Sequence, residues 1–325
     1  MNLYRKLSHA ANDWRGRLGG NERLYREARG ARIIAYHGIC RSDPGRFNSL
    51  FVDEATFGRH LQFYTKYFQV LSLDDYYAGR FSDSRFNICL TFDDGFANNY
   101  THALPLLSKY GVPAAFFVTG IGEAGYPFLW NDWLSITQKY GPSELTFPGA
   151  PPFVRMRGRY RSAGGSDEPD LRERLQSGDF REKELLIRSV GSPAWMTGHE
   201  EYWLQMTEKQ LSVLAGHPLA TIGCHGYYHN DLGRISLSRA VGELRRNREY
   251  LNRITNKEPN ALAFPYGSYT VGLVAEAKRM GFDQLLALDL LFPEDEAEDS
   301  LSARMVVNPF ISFHNLITAI IHGKY

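Results

Sequence analysis

The feature that most restricts the fold of this 325-residue chain is an alternation of short apolar runs with segments of helical periodicity. Arg32-Ile-Ile-Ala-Tyr-His37 reads as a strand. It is followed by Asp53 to Tyr67, where an N-capping Asp, an early acid and helically spaced apolar residues predict a helix. Phe68-Gln-Val-Leu-Ser72 is the next strand, Leu73 to Gly79 a short helix, and the run from Ile88 to Phe92 a buried strand. Tyr100 to Tyr110 reads as a helix stopped at Gly111, and Pro113 to Thr119 as another buried strand. The rhythm resumes after residue 200, with helices at Thr207–Ala215, Ser236–Arg253, Val271–Met280 and Ile311–His322. Strands are predicted at Leu219–Cys224, Ala261–Phe264, Phe282–Leu288 and Met305–Val307, and an acidic surface loop at Pro293–Asp299. Such βαβ alternation implies parallel strands with helices outside.

Two regions fall outside the alternation. Residues 1–30 read as a loosely attached, polar, amphipathic helical extension, leaving 31–325 as the main domain. In that extension Arg5, Lys6, Arg15 and Arg17 are candidates for contact with an anionic membrane surface, with a solvated helix face as the alternative. From about 126 to 200 a Pro/Gly/Arg-rich run and one charged helix, Leu171 to Val190, suggest an insertion too short and too polar for its own core. Insertions of this length serve as lids or binding walls.

A formal net charge of +1 gives no basic surplus for nucleic acid. Cys40, Cys89 and Cys224 show no Cys-x-x-Cys spacing and read as free thiols in a reducing compartment. The N-terminus lacks the apolar run of a secretory leader, and no stretch has the length of a transmembrane segment. The expectation is a soluble cytoplasmic protein.

Chemistry concentrates where strands end. The strand from Ile88 runs into Asp93-Asp94-Gly95, and a turn at the glycine lets both carboxylates face one cavity. Two close carboxylates repel, so the pair predicts either a cation held by one of them or an acid/base dyad sharing a proton. A plain helix-capping turn is the alternative. His225-Gly-Tyr-Tyr-His229 places two imidazoles four residues apart after another strand, and His37 ends the first. Two His and one Asp make a three-ligand face with open positions, suited to a hydrolytic Zn²⁺ or similar ion, which frees the second carboxylate as a base.

Thr91-Phe-Asp-Asp-Gly95, His225-x-x-x-His229 and Phe264-Pro-Tyr-Gly267, in this order, resemble the successive motifs of polysaccharide deacetylases, the NodB-homology group of carbohydrate esterases. The resemblance spans roughly residues 31 to 307 apart from the insertion. It implies an α/β fold, a distorted (β/α) barrel of about seven parallel strands. It also implies Asp93 as general base, Asp94, His225 and His229 as metal ligands, and the Tyr266 backbone N–H as an oxyanion donor. The implied metal is a divalent ion, zinc first, with cobalt or nickel as alternatives. The implied substrate is a carbohydrate, an N-acetylated aminosugar.

Three departures stand out. Gly226 occupies the place of a usual Ser or Thr, and Ala263 that of an Arg that pairs with the base, leaving Arg304 as the candidate partner for Asp93. The family's late Leu-x-His acid motif is missing, since His314 lies in Ser-Phe-His-Asn and does not match. Ala35-Tyr-His37-Gly38 resembles the N-terminal Tyr-His motif of the poly-N-acetylglucosamine deacetylase subgroup, which makes His37 the expected acid.

The expected reaction is N-deacetylation of a lipid- or nucleotide-linked aminosugar during envelope or exopolysaccharide assembly. Trp130, Trp133, Tyr227, Tyr228 and Phe264 are candidates for stacking on sugar rings. The basic helix from Arg239 to Arg253 is a candidate for a membrane or carrier phosphate. The alternatives are a deformylase or other amide hydrolase, a catalytically silent carbohydrate-binding relative, and a non-haem Fe(II) oxygenase, against which the second carboxylate argues.

Overall fold

Eight parallel strands form one sheet that closes on itself in the computed structural model, which describes residues 3–146, 151–165, 168–191 and 194–325. The strands are β1 (Ala31–Tyr36), β2 (Phe68–Leu71), β3 (Phe86–Phe92), β4 (Ala114–Val118), β5 (Ala220–Cys224), β6 (Ala261–Ala263), β7 (Gln284–Ala287) and β8 (Leu301–Val306). Around the ring the order is β1, β8, β7, β6, β5, β4, β3, and β3 pairs back onto β1 along Asn87–Phe92. Seven strands therefore close the barrel. The eighth, β2, shares an edge of β3 with β4, pairing with Phe86–Cys89 while β4 takes Leu90–Phe92. This shared edge is the distortion, and the distorted seven-stranded barrel is the expected fold.

Strands buried on both faces need apolar side chains on both. One set points into the barrel, where Ile33, Cys89, Phe117, Ala261, Ala263 and Leu286 pack together. The alternate set, including Ile34, Tyr36, Leu90, Phe92 and Phe116, packs under the surrounding helices. The helix starts follow the capping chemistry of the sequence. Asp53 accepts from the Thr56 N–H, and Thr207 and Gln210 form a reciprocal box. Gly111, at φ 65°, ends the helix Leu104–Tyr110 in the left-handed conformation that glycine adopts freely. Cys40, Cys89 and Cys224 are buried free thiols.

Four local expectations need correction. Strand β8 begins at Leu301, not Met305, because Ser302 and Arg304 interrupt its apolar pattern with polar residues. The segment 171–190 is two helices, Leu171–Ser177 and Phe180–Val190, broken at Gly178 where Asp179 caps the second. The acidic segment after Phe292 is not all surface: Asp295 is buried and accepts the N–H groups of Leu291 and Phe292.

The fourth correction concerns the insertion, which does have its own core. Trp130, Trp133, Leu134, Phe153, Leu171 and Leu186 are buried together beneath an antiparallel sheet of Glu144–Leu145, Phe153–Met156 and Arg159–Ser162. Each element supplies only a few apolar residues in a polar background, which disguises the cluster in the sequence. Fully burying each such side chain contributes about 1.5–3 kcal/mol, enough in sum to hold the unit in shape. The N-terminal extension is a helix, Leu3–Arg17, followed by Glu22–Glu27, and the first packs on the final helix, Phe313–His322.

Candidate metal centre and active site

The C-terminal ends of the barrel strands surround a cavity of about 810 Å³ that His37, Asp93, Asp94, His225, His229 and Tyr266 all line. Every expected site residue is thus brought to one place. β1 delivers His37, β3 the two aspartates, β5 the first of the two histidines, and β6 the turn that carries Tyr266.

The turns that do this are strained. Among the described non-glycine residues only six have positive φ, and three of them are Asp94 (76°), His229 (54°) and Tyr266 (59°). Such a conformation costs on the order of 1–3 kcal/mol for a residue with a Cβ and persists where surrounding contacts enforce it. At Asp94 the adjoining Gly95 is also left-handed, at φ 78°, and this double turn takes both carboxylates out of the strand's alternation.

The Asp94 Oδ1 atom lies 3.1 Å from His229 Nε2 and 3.4 Å from His225 Nε2. These three buried side chains are the one group among the described residues whose His, Cys, Asp or Glu ligand atoms gather, within 4.8 Å of one another, as a metal would need. The far sides of the rings are fixed. His225 Nδ1–H donates to the Ala263 carbonyl at 2.8 Å, which leaves a lone pair on Nε2. Tyr266 Oη stands 3.2 Å from His229 Nδ1 and plays the corresponding part there. A donor set of two neutral imidazoles and one carboxylate, each oriented from behind, fits a divalent transition ion such as Zn²⁺. Burial raises the Asp94 carboxyl, but His229 and His225 more than reverse this and hold it well below its ordinary range.

Asp93 has a different setting. Arg304 reaches from β8 and grips it with two parallel bonds, Nη1 to Oδ1 at 2.7 Å and Nη2 to Oδ2 at 2.8 Å. A third bond, Nη1 to Thr91 Oγ1 at 3.2 Å, fixes the guanidinium itself. Burial pushes the Asp93 carboxyl up, while Arg304 and then His225 pull it to a net position below the usual range. The arginine absent at Ala263 is therefore supplied two strands further round the barrel.

Gly226 also finds an explanation. At φ 71° it sits where a side chain would be strained, and its loop is tied by Glu243 instead. That carboxylate accepts the Tyr228 N–H at 3.0 Å and the Asn230 side-chain amide at 2.6 Å. Glu243 and Asn247, which accepts the His225 N–H at 3.0 Å, lie on the inner face of the helix Leu237–Thr255. On its outer face Arg239 pairs with Asp179 and Arg253 with Glu123. Arg246 lies 4.1 Å from the Tyr227 ring centroid. Much of the basic charge seen in the sequence is thus spent within the protein.

The insertion closes one side of the cavity with Asn131, Asp132, Ser135, Arg172 and Gln176, and the loop from Gly45 to Leu50 closes another. The insertion is latched to the ligand loop, since the Trp130 indole N–H donates to the His229 carbonyl and Lys183 donates to Asn230. Asp132 is buried with Oδ2 unpartnered; burial, and next the charge of Asp94, raise its carboxyl well above the ordinary value. Of the five aromatics expected to stack on sugar, only Phe264 lines the cavity. Trp130 and Trp133 belong to the insertion core, Tyr227 is buried, and Tyr228 stacks on Phe180 with centroids 4.4 Å apart. Phe47, Asn48, Asp132 and Arg172 had no sequence motif to announce them; the Asn-Asp pair between two tryptophans was the one available signal.

The architecture is the NodB-type (β/α) barrel. It is similar to the Streptococcus pyogenes deacetylase PplD in complex with acetate, with TM-score 0.58 and 18% identity over 90% of this chain and 99% of that one. IcaB from Ammonifex degensii gives TM-score 0.54 and 17% identity, covering 91% of this chain and 98% of its own. A de-N-acetylase from Aggregatibacter actinomycetemcomitans gives 0.52 and 14%, with coverages of 89% and 99%. At such identities these likenesses concern the fold. The family model for polysaccharide deacetylase matches residues 82–139 and 193–285. The unmatched stretch between the two parts lies inside the insertion. No curated protein sequence matches the chain.

Proposed function

We propose that this protein is a metal-dependent N-deacetylase that hydrolyses the acetamido group of an aminosugar in a glycan or glycan precursor. The observation that carries this reading is the division of labour between adjacent carboxylates: Asp94 faces two histidines, while Asp93 is clamped by Arg304. Acetate, which PplD holds in its complex, is the expected product class.

Asp94, His225 and His229 would hold a divalent ion, zinc by the nature of the donors, which when bound supplies Lewis acidity and acidifies water. Asp93, kept ionised by Arg304, takes the proton of the attacking water. The Tyr266 N–H, presented by its left-handed backbone, donates to the oxygen on which negative charge develops. An amine leaves poorly without a proton, and His37 supplies it. The His37 Nδ1 atom is buried without a hydrogen-bond partner, while its carbonyl is anchored by Asn99 at 2.7 Å. Each proton-transfer group contributes on the order of 10²–10⁴ in rate.

The reading is tested by incubating Zn²⁺- or Co²⁺-loaded protein with a panel of N-acetylated sugars, nucleotide sugars and lipid-linked sugars, followed by mass spectrometry. Loss of one acetyl group with stoichiometric acetate is the expected result. Formate from an N-formylated member alone would make it a deformylase, and tight sugar binding without either product would make it a silent relative. His225→Ala is expected to lose its metal by elemental analysis while retaining its circular dichroism. Arg172→Ala, on the cavity wall, is expected to raise KM by roughly tenfold with a smaller change in kcat, as for a lost polar contact worth about 1.4 kcal/mol. Unchanged KM for every member of the panel would remove Arg172 from substrate binding.

A further inference from the structure

The helix Leu3–Arg17 is mounted with its polar side inward. Successive helical residues are about 100° apart, so Leu7, Trp14 and Leu18 fall on one line along the outer face. Leu18 extends the helix by donating its N–H to the Trp14 carbonyl at 3.2 Å. The three side chains are 64%, 66% and 68% exposed, and Ala10 and Ala11 beside them are exposed as well. On the opposite side Asn12 donates to Asn315 Oδ1 at 2.8 Å and Thr318 Oγ1 at 3.1 Å, and Asp13 accepts from the Ser312 hydroxyl. Gly16 lies there too, so close to the His314 ring that a Cβ would be 2.3 Å from it. A helix that only covers a core is built the other way round, with the apolar stripe inside.

Arg15 and Arg17 flank the stripe on either side, and among the described residues neither makes an ion pair. Arg17 also lines a groove of about 680 Å³ together with Arg59, Lys66 and Asp13, and with Asn308, Pro309 and Ile311. From that last loop Phe310 projects, 71% exposed, and stands within van der Waals reach of a Cβ placed at Gly45. Gly45 lines the active-site cavity. The apolar stripe, the unpaired cations, the groove and the cavity mouth therefore follow one another across the surface.

We propose that this helix docks on an anionic membrane surface, with Leu7, Trp14 and Leu18 in the acyl boundary and Arg15 and Arg17 among the phosphates. Resting on the deacetylase reading, the groove then makes a lipid-anchored aminosugar the substrate class. No described helix is long and apolar enough to cross a membrane. An apolar face bordered by basic residues is the composition of an interfacial helix. A second copy of the chain is the poorer occupant. Stripe against stripe would bring the arginines of both copies together, and Asp13, the acid of this helix, is turned inward to Ser312.

The test is co-sedimentation of the full chain with vesicles of mixed phosphatidylglycerol and phosphatidylcholine, against pure phosphatidylcholine vesicles. Wild-type protein is expected to pellet with the anionic vesicles and to be released by added salt. Trp14→Glu/Leu18→Glu should weaken binding by about tenfold or more, and Arg15→Glu/Arg17→Glu should abolish the preference for phosphatidylglycerol. All four positions are exposed, so circular dichroism should be unchanged, and Trp14 and Leu18 lie outside the groove, so Trp14→Glu/Leu18→Glu should leave acetate release from a water-soluble N-acetylglucosamine oligomer unchanged. Release from a polyprenyl-diphosphate-linked N-acetylglucosamine in the vesicles should fall with binding. Wild-type protein left in the supernatant, or Glu variants that pellet like wild type, would overturn the proposal. So would a vesicle-free dimer that Trp14→Glu/Leu18→Glu dissolves. Pelleting with no acetate from any substrate leaves the docking standing and removes the deacetylase reading; acetate release without pelleting does the reverse.

Discussion

Asp93→Asn is expected to reduce turnover by on the order of 10²–10⁴ while leaving the metal content unchanged. The substitution preserves shape and keeps one oxygen for Arg304, but removes the charge that the proposed mechanism uses to accept the proton of water. Asp94, His225 and His229 form a separate cluster on the other side of the turn and should still bind zinc. Steady-state acetate release and elemental analysis on the same preparation separate the two functions. A fully active Asp93→Asn protein would sink the assignment of Asp93 as base, and loss of metal would place it among the ligands instead.

Arg304→Met should be the most damaging single change for stability. It leaves the Asp93 carboxylate buried without its two-pronged partner, and breaking such a pair from one side costs about 3–5 kcal/mol. The dependence on pH carries a sign. Because the net position of Asp93 in the folded protein is below its ordinary value, ionisation stabilises the fold above about pH 4, and that stability is lost as pH falls through the lower folded value. In Arg304→Met the upward push of burial is no longer opposed by the guanidinium. The acidic limb of kcat/KM is therefore expected to move to higher pH. Denaturant unfolding of the single variant and of the Asp93→Asn/Arg304→Met double variant should show the double variant to be the more stable, since it buries no lone charge. An acidic limb that stays in place would mean that something other than Arg304 controls Asp93.

Much of the architecture was legible in the sequence because its signals are local. A cap such as Asp53, a stop such as Gly111 and an apolar run such as Ile88–Phe92 each act within a few residues, and the structure places them where periodicity and capping predict. The gathering of His37, Asp93, Asp94, His225, His229 and Tyr266 was legible for a related reason: in a parallel barrel every strand ends at the same rim, so residues after successive strands must meet. What escaped depends on distance. Arg304 lies 211 positions from the aspartate it clamps, inside a strand whose polar residues hid its beginning. Trp130 and Trp133 could not be told from sugar platforms until Leu134, Phe153 and Leu186 were found packed around them. The wall residues Asp132 and Arg172 acquire meaning only from the cavity they enclose.

The shared edge of β3 has a consequence for how such a protein can diversify. β3 is hydrogen-bonded along both edges, by β1 on one side and by β2 and β4 in turn on the other, and all seven of its residues are buried. Its amides are expected to exchange with solvent only when much of the molecule opens, and the two carboxylates follow directly on this strand. The facing wall comes from a separate unit with its own core, joined by a few tethers such as Trp130 to His229 and Lys183 to Asn230. The carboxylates and the facing wall are thus built on different elements, with Tyr266 packed against the core of the wall. On the proposed reading, the wall could be redrawn for a new substrate without disturbing the register of the strand that carries the two carboxylates.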